Sequence, residues 1–186
     1  MKTILALFFL LVSPIIVNAQ SSAWTAEVIN VAHATEVKYH LPHGIAAAFN
    51  LQENSGRIIT AFPRVESGFF NIGERHYKLV FDMTTKFFKD NPELIDSIPF
   101  DVERFQEASS WGPFQLLGTN IRALGCKKKF LSEITWKEHF ELWGKFFAGY
   151  LKQYKTLNRA ISMYNGPKAP VSYLKNVLRW QSQYSW

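Results

Sequence analysis

Two carboxylates stand out by what precedes each of them. Glu53 closes an almost unbroken apolar run from His43 to Gln52, in which Ile45, Ala48, Phe49 and Gln52 share one side at helical spacing. Glu66 closes a run of another kind. Ile58, Ile59, Thr60 and Phe62 favour extended backbone, and Pro63 excludes a continuous helix there. One acid at a helix end and one on a strand suit cleavage of a glycosidic bond. One carboxyl protonates the leaving oxygen, and the other activates water or stabilises positive charge on the sugar. An apolar helix sets the Glu53 carboxyl against an apolar wall, which disfavours its charged form and raises its pKa toward that of a general acid. The plainer alternative is a surface glutamate at a fraying helix end. Glu66-Ser67-Gly68 is a rival for the acid, but it has no helix before it. Glu66 is therefore read as the partner.

Two further stretches carry polar groups in tight turns. In Ser110-Trp111-Gly112-Pro113-Phe114-Gln115, Gly112 lets backbone approach a sugar closely, and Gln115 offers a donor and an acceptor for an N-acetyl group. Trp111 either stacks on a sugar face or belongs to the core; six tryptophans cannot all be ligands. In Tyr164-Asn165-Gly166-Pro167 the turn residues fix a bend that aims the Tyr164 hydroxyl, unless the ring is simply packed.

The elements that must hold these residues are mostly helical. The sequence predicts helices over 23–39, 43–53, 74–89, 117–124, 133–154, 157–164 and 171–180, and leaves 95–109 as the least regular part, with room for one short helix at 102–108. Leu41-Pro42 is placed at the start of the second, and Leu117, Ile121 and Leu124 on the inner side of the fourth. Trp136, Phe140, Trp143, Phe147, Tyr150 and Tyr154 alternate by four and three along the longest helix, an aromatic stripe that reads as core. A single small extended element, 57–65, breaks the helical pattern. The expectation is one mainly helical α+β domain.

Met1 and Lys2, the apolar run Ile4 to Val17 and the small residues Val17-Asn18-Ala19 read as a signal peptide over residues 1–19. Residues 20–186 are then one domain, secreted or periplasmic and monomeric, with no stable membrane span. The single cysteine, Cys126, excludes an internal disulfide and reads as a small buried hydrophobe, and no metal-ligand spacing or cofactor motif occurs. The net charge of +6 suits an anionic polymer, while nucleic acid finds no recognition motif. Lys127-Lys128-Lys129, the one dense basic cluster, reads as a solvated loop.

With these residues in place, the chain resembles the lysozyme superfamily over roughly Thr35 to Leu178. It is most similar to the N-acetylmuramidase family of phage endolysins and bacterial wall hydrolases, with similarity to soluble lytic transglycosylases. Glu53-Asn54-Ser55-Gly56 and Arg64-Val65-Glu66 take the places of that family's Glu-Ser-Gly segment and Phe-Glu pair. Ser110-Trp111-Gly112-Pro113-Phe114-Gln115 and Tyr164-Asn165-Gly166-Pro167 match its two other motifs. Asn54 interrupts the Glu-Ser pair, and Ser67-Gly68 replaces the usual residues after the strand acid. The resemblance implies a lysozyme-like fold of six to seven helices with one small β-element. It also implies cleavage of the β-1,4 bond between N-acetylmuramic acid and N-acetylglucosamine in peptidoglycan glycan strands. Glu53 and Glu66 would be catalytic. Ser110, Trp111, Gln115, Tyr164 and Asn165 would bind the glycan, with Tyr164 hydrogen-bonded to the acid. No cofactor or metal is expected. A lytic transglycosylase giving 1,6-anhydro products and a non-catalytic wall-binding module remain the alternatives, and an exported helical scaffold is a third.

Overall fold

The aromatic stripe forms the centre of the molecule. The computed structural model describes residues 24–58, 63–71, 74 and 76–184. The expected leader at 1–19 and most of the β-prone run, 59–62, lie outside the described residues. Helix α7 (Trp136–Tyr154) starts at a capping box, with Thr135 accepting from the Glu138 N–H and Glu138 from the Thr135 N–H. It ends at Lys155, whose φ is +65°. Phe140, Trp143 and Phe147 are wholly buried along it, and the Trp143 ring stacks on Phe114 at 4.5 Å. Truncating Trp143 would cost about 3–5 kcal/mol.

Three helices meet this stripe or lie beside it. Helix α1 (Ala26–Lys38) is capped by the Thr25 hydroxyl and crosses α7 where Gly144 leaves no room for a side chain; a Cβ there would lie 2.5 Å from Thr35 Cγ2. Helix α2 (Ile45–Asn54) runs through the core, with residues 45–50 buried and Phe49 against Phe147 at 4.7 Å. Near the C-terminus, α8 (Leu157–Tyr164) packs between α7 and α9 (Val171–Gln181), and α9 lies along α2.

A smaller lobe contains α4 (Tyr77–Asp90) and α5 (Phe100–Glu107), which close on Phe87, Phe88 and Ile98. The four-residue α3 (Ser67–Phe70) leads into it, and α6 (Gly118–Ala123) packs on α5. Between the lobes stands a three-stranded antiparallel sheet in the order β1 (Arg64–Val65), β2 (Ser109–Trp111), β3 (Leu116–Leu117).

The chain is thus α+β and mainly helical, and no helix among the described residues is long and apolar enough to cross a membrane. Several expectations need correction. The described residues form nine α-helices and two 3₁₀ turns rather than six or seven helices. The extended element is a sheet whose central strand is Ser109–Trp111. Leu117 belongs to β3, so the helix after it, Gly118–Ala123, is one residue shorter at each end than its apolar spacing suggested. Pro42 precedes α2 instead of opening it; the helix begins after Gly44, whose φ is +73°. Helix α4 begins at Tyr77 rather than at Glu74.

Candidate functional site

Glu53 sits in the last turn of α2, as its apolar approach predicts. Both ends of that helix are fixed from outside it. At the N-terminus the buried Glu36 carboxylate of α1 accepts from the Gly44 and Ala46 N–H groups at 3.1 and 2.8 Å, doing a capping residue's work from a neighbouring helix. Burial pushes the Glu36 carboxyl up, against these amides and the nearby His43 ring. Near the C-terminal end, the Asn50 side-chain amide donates to Arg57 O and Pro113 O at 2.8 and 2.9 Å and accepts from Trp24 Nε1. Asn50 thereby ties α2 to the loop after β2.

The Glu53 side chain is half-buried. Burial raises its pKa above the ordinary carboxylate value, and the negative charge of Glu66 adds to the rise. The Tyr173 hydroxyl, donating to Oε1, and the Arg64 charge oppose it. Tyr173 comes from the first turn of α9 and is only 5 % exposed. Its own pKa is driven up by burial and by the carboxylate beside it, so the phenol keeps its proton and donates.

Glu66 follows β1, and its N–H donates to Ala108 O at 3.0 Å across the sheet. Oε1 accepts from Arg64 Nε and from Ser110 Oγ, both at 2.8 Å. Ser110 stands directly opposite Arg64 in the β1–β2 register, which is why the two donors converge. Oε2 has no hydrogen bond among the described residues, and the side chain remains 31 % exposed. Glu66 is therefore ion-paired on one oxygen and open on the other. Glu53 is a desolvated acid whose second oxygen is also unbonded among the described residues.

The structure brings Glu53, Glu66 and Ser110 together, with Tyr164 also within electrostatic reach of Glu53, and gives the other expected site residues different partners. Trp111 is buried, its Nε1 donating to Gln106 O at 2.8 Å; it is core and offers no face to a sugar. Tyr164 does not hydrogen-bond the acid. Its hydroxyl donates to Phe114 O at 2.7 Å, and burial followed by the Glu53 charge lifts its pKa well above the usual value. Gln115, at φ +49°, donates its side-chain amide to Gly112 O at 3.0 Å and so braces its own loop. Asn165 is exposed and caps the end of α8. Gly112 makes room for protein rather than for a sugar: a Cβ there would lie 2.5 Å from the His139 ring. Cys126 is half-buried and packs on the core edge, and Lys128 is paired with Glu138, so the basic cluster is partly neutralised.

Sequence reasoning missed Tyr173, Asn50 and Glu36. Tyr173 had a usable signal, since it lies four residues before the buried Val177 and so shares its face of α9. Neither Asn50 nor Glu36 had a local one. Among the described residues no group of His, Cys, Asp or Glu could hold a metal ion. An apolar cavity of about 300 Å³ lies in the smaller lobe between Thr85, Phe88, Ile95, Ile98 and Phe100, with no titratable side chain in its lining.

Comparison with known protein families, with curated proteins and with solved structures finds no match. The functional reading therefore rests on these residues and their geometry. Two carboxylates from different elements lie within electrostatic reach, one biased toward its protonated form and the other ion-paired. Chemically, a pair of this kind is able to supply a proton from one carboxyl and negative charge from the other.

Proposed function

We propose that this protein is an exported, monomeric peptidoglycan-cleaving glycosidase with a lysozyme-like fold, acting on the β-1,4 bond from N-acetylmuramic acid to N-acetylglucosamine. Glu53 protonates the leaving glycosidic oxygen, and positive charge develops at the sugar carbon and ring oxygen. Glu66, held by Arg64 and Ser110, stabilises that charge. It then accepts a proton through Oε2 from the water that attacks the same carbon, leaving a reducing sugar.

The observation that carries this reading is the division of labour between the two acids. Burial keeps Glu53 toward its protonated form at the end of α2, while Arg64 and Ser110 hold Glu66 by one oxygen on the sheet. The open Oε2 favours water activation over the anhydro-forming route, in which the muramyl 6-hydroxyl attacks and no second base is needed.

Turbidity loss of purified peptidoglycan, followed by masses of the released muropeptides, tests the reading. Glu53→Gln should stay folded by circular dichroism and lose at least about a hundredfold in rate. Glu66→Gln should fall by a comparable factor, and the wild-type products should be reducing sugars. Anhydro products from the wild type, with Glu66→Gln still active, would convert the assignment to a lytic transglycosylase. A folded wild type that binds peptidoglycan and releases nothing would make it a wall-binding module.

A further inference from the structure

The acidic residues of the chain are unevenly placed. All 15 precede Leu142; from there to Trp186 the chain has none. Six cations follow Leu151 in that stretch: Lys152, Lys155, Arg159, Lys168, Lys175 and Arg179. Every one of them is exposed, and none enters an ion pair among the described residues. Before Leu142 most described cations are paired: Lys38, Arg64, Lys78, Lys86, Arg104, Arg122, Lys128 and Lys137 each face a carboxylate, while Arg57, Lys89, Lys127 and Lys129 enter no ion pair among the described residues. Helix α8 packs on α7 and on α9, and these six cations lie on exposed positions of this consecutive run of helices and its connections. Unneutralised charge gathered in this way creates a field that recruits polyanions.

This surface is distinct from the Glu53–Glu66 site. On α9, Tyr173 and Val177 point inward, and Lys175 and Arg179 follow each by two residues, about 200° further round the helix. The helix presents Tyr173 to Glu53 on one side and a cationic row to solvent on the other. We infer that the exposed cations of α7–α9 form a non-catalytic anchoring surface for the carboxylate groups of peptidoglycan, holding the protein on the wall while the Glu53–Glu66 site acts.

The inference rests on the peptidoglycan reading of the Glu53–Glu66 site and extends it to a second contact. A polymer with carboxylates repeated along it fits single cations distributed over three helices. A membrane fits less well, because interfacial docking needs an apolar face to insert. Val171 is the one large hydrophobic residue exposed in this stretch among the described residues.

The test uses the Glu53→Gln protein, which should bind without digesting, and purified peptidoglycan free of attached polymers. Sedimentation should show retention that falls as sodium chloride is raised, since exposed charges are screened. Adding Lys152→Gln, Arg159→Gln, Lys168→Gln and Lys175→Gln should weaken retention by about tenfold at low salt. In the otherwise unaltered enzyme these four changes should leave turnover of soluble disaccharide fragments unchanged. Amidating the wall carboxylates should release the protein without any mutation, which guards against a misfolded variant.

Equal retention of the fourfold variant, or retention that survives amidation, would overturn the inference. So would tighter binding to anionic phospholipid vesicles than to peptidoglycan, which would make the face a membrane contact. A wild type that is retained in this carboxylate-dependent way but cleaves nothing would leave the anchoring surface standing and remove the catalytic reading alone.

Discussion

Burial raises the pKa of Glu53, and a single phenol opposes that rise most strongly. Tyr173 donates to the carboxyl, which favours the ionised form, while burial and the Glu66 charge favour the protonated one. In Tyr173→Phe the ionised form loses its donor, so the Glu53 pKa should rise further. The acid then stays protonated to higher pH, and the alkaline limb of the kcat/KM profile should move to higher pH. A limb that stays in place or moves the other way would separate Tyr173 from the acid. Losing one buried hydrogen bond should also cost about 1 kcal/mol of stability, measurable by urea denaturation. Trp111 gives the opposite pattern. Its indole is bonded to Gln106 O inside the core, so Trp111→Phe should lower the melting temperature and leave KM for glycan unchanged. A raised KM with unchanged stability would return Trp111 to the sugar.

At the scale of elements, two glycines with opposite surroundings report how tightly the sheet is held. A Cβ on Gly118, at the start of α6, would lie 2.0 Å from Gln106 O and 2.7 Å from Glu107 Cα, with backbone on both counts and nothing able to swing away. Gly118→Ala should destabilise by roughly 3 kcal/mol or more. Gly149, inside α7, has nothing within 4 Å of its Cβ position, and Gly149→Ala should stabilise by about 0.5–1 kcal/mol. Chemical denaturation of both variants checks the contrast, and a neutral Gly118→Ala would mean that α6 can slide away from α5. The same closeness explains what was legible in the sequence. The seam of α7 could be read because six aromatics repeat over five turns, and Glu53 because a long apolar run leads to it. The sheet could not, because strands of two or three residues carry no period. Leu117 imitates a helical position only because it stands four residues before Ile121. Ser110 was legible as a motif residue, but its bond to Glu66 depends on a register that pairs residues far apart in the chain. Tyr173 reaches Glu53 for the same kind of reason, since α9 meets α2 only in the folded chain.

Over the whole molecule, buried charge links the smaller lobe to pH. One guanidinium, Arg122, serves two carboxylates at the α4–α5–α6 junction. Glu103 takes its Nε and Nη2 at 2.6 and 2.7 Å and also receives the Gln106 amide, and these bonds oppose the upward push of burial on its pKa. Glu107 is left with the Thr84 hydroxyl on Oε2, while its buried Oε1 has no partner. Burial, with the Glu103 charge adding to it, pushes Glu107 up to about 8. Glu107 is therefore protonated in the folded protein at neutral pH and ionised in the unfolded chain above 4.5. The stability it contributes is fully present below 4.5 and is lost as pH rises through about 8. His139, under Gly112, works in the other direction. Burial lowers it from 6.5 to about 4, so its contribution is present above 6.5 and lost as pH falls through about 4. Glu107 thus contributes to the alkaline fall in stability and His139 to the acid fall, and the Glu107 contribution can be removed alone. Glu107→Gln keeps an acceptor for Thr84 and has no proton to lose. The wild type should lose on the order of a few kcal/mol between about pH 5 and about pH 9, and the variant should lose much less, measured by urea denaturation at each pH. If both proteins lose the same stability over that range, Glu107 is ionised in the fold, and Arg122 neutralises both carboxylates together.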